Sequence, residues 1–103
     1  MSGKRSRDKG ARFERFVANQ LAAVYPTAVR GCGQYHRGSN KADVEGTPFW
    51  IECKNGKRPS VYGAWDQAVA TGTDKEIVVV TKRDRDQALV TITLDKFIEI
   101  IKK

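Results

Sequence analysis

The stretch ADVEGTPFWIECK, residues 42–54, decides the fold. Two short runs of strand-forming residues, 42–46 and 49–54, meet at Gly-Thr-Pro, residues 46–48, a combination typical of a turn. The two runs are therefore predicted to pair as a β-hairpin, and the rest of the chain can be placed around it.

The second strand of this hairpin has two chemically different faces, because successive side chains point to opposite sides of a strand. The apolar face, suited to a core, holds Phe49, Ile51 and Cys53. The mixed face holds Trp50, Glu52 and Lys54. An acid and a base thus lie side by side where the strand runs into a polar loop. A surface ladder of opposite charges on a half-exposed sheet would give the same pattern.

Further elements are predicted on both sides of the hairpin. A first helix covers 8–24, with Asp8 as its N-cap and Pro26 beyond its end. The other predicted elements are a strand at 27–31, a helix at 61–71, a fully buried strand at 76–81, a strand at 89–93 and a helix at 94–103 capped by Asp95. The order is α-β-β-β-α-β-β-α. Its central strand, helix and strand predict a βαβ crossover with parallel pairing, hence an α/β (α+β) fold with a mixed central sheet flanked by helices.

The chain of 103 residues is long enough for one domain, predicted at 10–103 behind a flexible basic arm at 1–9. It has no apolar run of transmembrane length, and its basic, polar start is unlike a signal peptide. Cys32 and Cys53 are too few for a disulfide framework or a metal clip, so both are expected to be reduced thiols. These features predict a cytosolic protein with no membrane partner and no small-molecule cofactor.

The positive charge of the chain is concentrated in its first part. Residues 1–58 hold twelve Lys/Arg and five Asp/Glu, whereas residues 59–103 hold seven of each, so the whole net charge of +7 lies before residue 59. Such asymmetry favours a polyanionic partner, most often a nucleic acid. A basic, well-solvated surface is the alternative.

The hairpin brings a second acid towards Glu52. Asp43 lies on the first strand, and neighbouring strands are roughly 5 Å apart, so the two carboxylates are able to share one spot, although the register is not fixed by sequence. Two such acids repel unless a cation lies between them, and Mg²⁺ suits one or two carboxylates completed by water and phosphate oxygens. Glu14, at the edge of the apolar stripe of the first helix, supplies a third acid near the sheet.

Glu14 on a helix, then Asp43, then Glu52-Cys53-Lys54 on a strand resembles the PD-(D/E)XK nuclease superfamily. The segments GARFERFVANQL, RGSNKADVEG and FWIECKNG are more closely similar to archaeal-type Holliday junction resolvases and their phage-borne relatives. The resemblance covers roughly residues 10–81 and implies a restriction-endonuclease-like αβββαβ core. One departure is Ala42, which stands where the superfamily name has Pro.

The resemblance implies roles for particular residues. Asp43 and Glu52 would hold Mg²⁺, which Mn²⁺ would replace, with the backbone carbonyl of Cys53 as a further ligand. Lys54 would orient or help to deprotonate the attacking water and steady charge on the phosphate. Glu14 would act through a water or a second metal. Ser39 would touch the substrate backbone or the metal site.

The basic residues fall into two groups that are expected to contact DNA phosphates, which positions a substrate without reading its sequence. The group on the N-terminal arm comprises Lys4, Arg5, Arg7, Lys9 and Arg12. The group on loops around the acids comprises Arg30, Arg37, Lys41, Lys57 and Arg58.

These observations together predict a Mg²⁺-dependent, structure-selective DNA endonuclease that cuts four-way junctions, in a prokaryotic or phage-infected cell. Two symmetric cuts need two sites, so a homodimer is expected, using apolar surface from 76–81, the last helix or Trp65. Two alternatives stay open. One is a related nuclease that cuts flaps, nicks or plain duplex, and the other is a non-catalytic DNA-binding accessory protein.

Overall fold

The computed structural model describes residues 2–31 and 41–103, in which the chain forms three helices and five strands. In chain order they are α1 (Ser2–Leu21), β1 (Val29–Arg30), β2 (Val44–Glu45), β3 (Phe49–Gly56), α2 (Val61–Ala70), β4 (Glu76–Arg83), β5 (Leu89–Thr91) and α3 (Leu94–Ile101). This confirms the predicted order of elements and the α+β class.

The strands form one mixed sheet in the order β1-β2-β3-β4-β5. Strands β2 and β3 are antiparallel, with Val44 opposite Ile51, which confirms the predicted hairpin. Strands β3 and β4 are parallel over their whole length and are joined through α2, which confirms the predicted crossover. The outer strands β1 and β5 are antiparallel to their neighbours. The long parallel pair is therefore the centre of the sheet.

Helices α1 and α2 pack on opposite faces of this sheet. On the α1 face, one core cluster is formed by Phe13, Val17, Ala18, Ala28, Val44, Ile51, Cys53 and Val80. On the α2 face, a smaller cluster is formed by Ala42, Trp50 and Ala68, with Ile77 against it. The alternation along β3 is thus as predicted, and both of its faces are covered where these helices lie. The mixed face of β3 lies on the α2 side.

Helix α1 is longer at its start than predicted. It begins at Ser2, so Asp8 lies inside the helix as an exposed residue and its assignment as N-cap is wrong. The reason is propensity: Lys and Arg are good helix formers, so the basic segment continues the helix outwards. The flexibility predicted for residues 1–9 remains a prediction. Within the described ranges, none of the helices combines the length and apolar character needed to cross a bilayer.

The caps of the two later helices are set by hydroxyl groups. Ser60 Oγ accepts a hydrogen bond from the Gly63 N–H at 2.8 Å, so α2 begins at Val61 as predicted. For α3 the cap is Thr93, whose Oγ1 accepts the Lys96 N–H at 3.0 Å, and the assignment of Asp95 is wrong. Asp95 lies in the first turn instead, where its negative charge interacts favourably with the positive end of the helix dipole.

Strand β4 is less buried than its apolar run predicts. Only Val79, Val80 and Thr81 are buried, while residues 76–78 are half-buried. On the α1 face, where Val78 lies, the cause is incomplete cover: α1 packs mainly over β1, β2 and β3 and leaves much of the β4–β5 half of that face uncovered. The prediction of a fully buried strand is therefore wrong for its first half.

Candidate functional site

The candidate site lies where β3 continues beyond the end of its short partner β2. Asp43, just before β2, donates its backbone N–H to the Ile51 carbonyl at 3.0 Å. Its carboxylate Oδ2 then accepts the Cys53 backbone N–H at 2.8 Å. The Asp43 side chain thus accepts the N–H group of β3 that a backbone carbonyl of a longer partner strand would otherwise accept. This bond fixes the Asp43 carboxylate beside the segment that carries Glu52 and Lys54.

Short contacts hold the backbone around Asp43 in place. Its carbonyl accepts the Gly31 N–H at 2.8 Å. A side chain at Gly31 would overlap the Ala42 carbonyl oxygen, so only glycine allows β1 to approach this closely. The Ala42 N–H in turn donates to Glu45 Oε2 at 2.7 Å. Glu45 therefore supports the bend that presents Asp43.

The Glu52 carboxylate is held from its own strand. The Trp50 indole Nε1–H donates to Glu52 Oε1 at 2.9 Å, as two residues on one face of a strand are placed to do. Trp50 is itself buried between the sheet and α2, next to Ala68 and Ile77, so the indole is firmly positioned. Burial raises the pKa of Glu52, and the hydrogen bond from Trp50 opposes that rise.

Asp43 is the most perturbed acid of the site. Burial raises the pKa of Asp43 from 3.8 to about 7, against the lowering effect of the Cys53 N–H. The negative charges of Glu52 and Glu14 contribute to this rise in pKa, and the positive charge of Lys54 opposes it. The two neighbouring acids and the lysine are thus close enough to act on Asp43. We call these four residues, Glu14, Asp43, Glu52 and Lys54, the β3 cluster.

Glu14 reaches the cluster from α1, beside the sheet as expected. Its Oε1 accepts a hydrogen bond from Arg30 Nε on β1 at 2.8 Å, and the two side chains are only 20% and 27% exposed. The charge of Glu14 also raises the pKa of Glu52. Arg30, predicted as a phosphate contact, therefore has a further role in orienting an acid.

The thiol of Cys53 lies on the opposite face of β3 from Glu52 and Lys54. It is buried in the α1-face core, and burial, together with the charges of Asp43, Glu14 and Glu52, raises its pKa far above the usual range. A buried protonated thiol is a poor nucleophile and a poor metal ligand. Any direct part that Cys53 plays must come from its backbone.

The other predicted site residues divide by exposure. Exposed basic side chains on α1 and on the segments around the β3 cluster are those of Arg5, Arg7, Arg12, Lys41, Lys57 and Arg58. Lys9 forms an ion pair with Asp84 at 2.6 Å and so links α1 to the turn after β4. Lys4 lies in α1. Ser39 and Arg37 lie outside the described residues.

The donor chemistry of the cluster fits a hard divalent cation. Within residues 2–31 and 41–103, no three His, Cys, Asp or Glu side chains converge tightly enough to enclose a metal ion. Mg²⁺, however, commonly uses only one or two protein carboxylates and completes its shell with water and substrate oxygens. Burial, with a smaller contribution from neighbouring acids, raises the pKa values of Asp43 and Glu52, and a bound cation would favour their charged forms.

None of the protein-family models, curated proteins or solved structures compared with the chain matches it. The chemistry of the β3 cluster therefore carries the functional interpretation.

Three supporting contacts were not predicted from the sequence. The hydrogen bond between Trp50 and Glu52 could have been predicted from their spacing, since residues two apart on a strand share a face. The contacts of Glu45 with Ala42 and of Arg30 with Glu14 depend on how the chain bends before β2 and on which strand lies under α1. No local pattern encodes either of these.

Proposed function

We propose that the protein is a Mg²⁺-dependent, structure-selective DNA endonuclease of the PD-(D/E)XK type, resembling Holliday junction resolvases, with a restriction-endonuclease-like core. The observation that carries the proposal is the β3 cluster: a half-buried aspartate with a pKa of about 7, flanked by two acids and a lysine. Strong perturbation of this kind by burial and by specific neighbours is typical of functional sites. The first six elements, α1 to β4, follow the αβββαβ order.

In this proposal three members of the cluster, Asp43, Glu52 and Lys54, have defined tasks. Asp43 and Glu52, with the Cys53 carbonyl, would hold Mg²⁺ or Mn²⁺, which when bound neutralises charge on the phosphate and activates a water. Lys54 on the same face of β3 orients that water and stabilises charge developing on the phosphate oxygens. Trp50 fixes the rotamer of Glu52, and Arg30 fixes that of Glu14.

The exposed basic residues would bring the DNA backbone to the cluster. Arg5, Arg7 and Arg12 lie along α1, and Lys57 and Arg58 directly follow β3. Contacts of this type are insensitive to sequence and weaken steeply with salt, which suits a nuclease that selects DNA by its shape. A four-way junction is resolved by two symmetric cuts, so the active form would be a two-fold homodimer in a prokaryotic or phage-infected cytosol.

The test uses purified protein with four-way junction, flap and linear duplex DNA, in Mg²⁺, in Mn²⁺ and in EDTA. We expect metal-dependent cutting of the junction in preference to the other substrates. Asp43→Asn and Glu52→Gln should each lower cleavage on the order of 10²–10³-fold or more while junction binding survives. Asp66→Asn, a matched change at an exposed acid on α2, should leave cleavage unchanged.

Two results would contradict the proposal in different ways. Equal cutting of all three substrates would mean that the protein is a nuclease of the same chemistry but does not select junctions. Junction binding without cleavage in any divalent ion would instead favour a non-catalytic DNA-binding accessory protein.

A further inference from the structure

Helix α3 leaves its apolar residues exposed. Its apolar stripe, which we call the α3 stripe, consists of Leu94, Phe97, Ile98 and Ile101, spaced three or four residues apart and 41% to 71% exposed. Of its charged residues, Lys96 lies near Glu76 at the start of β4 and pairs with Glu99, whose side chain is exposed. A helix on a folded monomer normally buries its apolar stripe against the core. The α3 stripe is therefore a surface that needs a partner.

A groove of matching character lies elsewhere on the molecule. We call it the α1–β5 groove. It has a volume of about 310 Å³ on the bare half of the α1 face, and its lining includes Phe16, Leu21, Val78, Val80, Ala88 and Val90. The bare half spans two strands, about 10 Å, which is close to the diameter of one α-helix. An apolar helix lying there would complete the α1-face core, to which Val80 belongs.

The total exposed surface is also larger than a monomer of this mass should have. A folded monomeric protein of 11.5 kDa is expected to expose roughly 5,800 Å². This chain exposes 7528 Å². The excess, about 1,700 Å², exceeds the ~800 Å² that each partner contributes to an interface of standard size. The exposed apolar surfaces contribute to this surplus, as does the exposed start of α1, including Arg5, Arg7 and Asp8.

We propose that the α3 stripe and the α1–β5 groove are the two halves of one homodimer interface, in which α3 of each copy lies in the groove of the other. Both halves adjoin the edge strand β5, because Ala88 and Val90 line the groove and α3 follows β5 after two residues. A two-fold axis beside β5 brings each helix to the other copy's groove and closes the assembly.

A second copy of the chain is the occupant that these surfaces favour. The groove is lined almost entirely by apolar side chains, so a phosphate backbone would lose its hydration there without gaining a charged partner. The α3 stripe offers a complementary apolar helix that is present in every copy. The inference assigns a surface to the homodimer of the proposed function. Its evidence is the pair of apolar surfaces and not the β3 cluster.

The first experiment measures mass in solution by light scattering at micromolar concentration. The wild-type chain should scatter at twice 11.5 kDa. Phe97→Asp in the stripe and Val90→Asp in the groove should each raise the dimer dissociation constant at least about 30-fold, the effect of a central interface residue. Val69→Asp is the matched control, because Val69 is an exposed valine on α2 away from both surfaces. It should remain dimeric.

A second experiment tests which surfaces meet. With Cys32 replaced by Ser, the single variants Val90→Cys and Ile98→Cys are treated with a short thiol-specific cross-linker, alone and mixed. Cross-linked dimer that forms mainly in the mixture supports the exchange of α3. Efficient cross-linking of Ile98→Cys alone would mean that the two α3 helices pair with each other, and it would overturn the exchange.

Three other results would also overturn the inference. They are a monomeric wild-type chain, a Val90→Asp variant that stays dimeric, and a Val69→Asp control that dissociates as readily as Phe97→Asp. Circular dichroism of each variant establishes that it remains folded, which is expected because Phe97 and Val90 are exposed within one copy. Loss of cleavage by Asp43→Asn with an intact dimer would test the proposed function alone, so the two proposals fail separately.

Discussion

Replacing Asp43 by Asn should stabilise the free protein at neutral and alkaline pH while it abolishes the proposed chemistry. Burial raises the pKa of Asp43 from 3.8 to about 7, a difference of about three pH units. At ~1.4 kcal/mol per unit, the ionised carboxylate costs the folded state on the order of 4 kcal/mol above pH 7. Asn removes the charge but keeps an oxygen that can accept the Cys53 N–H.

The sign of the pH dependence follows from proton uptake. The unfolded chain releases the Asp43 proton near pH 3.8, and the folded chain releases it near pH 7. Between these values the folded state binds more protons, so the free energy of unfolding falls as the pH rises and levels off above about 7. Urea unfolding at pH 4, 5.5, 7 and 8 measures this directly, at one protein concentration for all variants.

We expect the wild type and Asp43→Asn to have similar stability at pH 4 and the variant to be more stable at pH 8, by up to ~4 kcal/mol. Asp66→Asn, at an exposed site, should follow the wild type. Parallel curves for Asp43→Asn and the wild type would refute the reasoning, as would a variant that is less stable at pH 8. Mg²⁺ at a hundredfold excess over its dissociation constant should restore about 2.7 kcal/mol to the wild type and nothing to Asp43→Asn.

Three further substitutions test the supports of the cluster. Trp50→Phe removes the indole donor to Glu52, so it should cost about 1.5–3 kcal/mol in urea unfolding. Because that bond lowers the Glu52 pKa, its loss should also move the acid limb of the pH–rate profile upward. Arg30→Met leaves Glu14 half-buried without this guanidinium, and thermal unfolding should show a loss of about 1–3 kcal/mol together with lower cleavage. Gly31→Ala would force a methyl group into a backbone carbonyl of the neighbouring segment; a variant as stable and as active as the wild type would contradict the packing described here.

The sheet was predictable because its signals are local. The alternation along β3 separates Ile51 and Cys53 from Trp50 and Glu52, and the turn before Phe49 fixes the hairpin. The parallel pairing of β3 with β4 follows from the helix between them, since a crossover of this length has few other solutions. Local periodicity and connection rules were therefore enough for the order and direction of the central strands.

The helix ends were harder because several residues compete for the same role. Thr93 and Asp95 are both good caps two residues apart. The choice depends on whether the capped N–H is that of Lys96, three residues after Thr93, or that of Ile98, three residues after Asp95. The start of α1 depends on the helix propensity of a charged segment, and this segment has no apolar periodicity that would mark a helix. Such choices are decided by small free energies that a residue pattern does not resolve.

The arrangement of the cluster could be predicted only in outline. The sequence indicates that Asp43 and Glu52 come from paired strands, but the bond from Cys53 to Asp43 needs the bend before β2. The exposure of the α3 stripe likewise depends on tertiary packing. An amphipathic pattern predicts that a helix has two different faces, but it does not predict what each face contacts.

The bond between the Cys53 amide and the Asp43 carboxylate gives the protein a built-in spectroscopic reporter. The amide proton is donated directly to a carboxylate oxygen, so its NMR resonance should shift when the carboxylate loses its own proton or gains a cation. One backbone signal, in uniformly ¹⁵N-labelled protein and without added dye or substrate, would then follow the electrical state of the cluster through a whole titration.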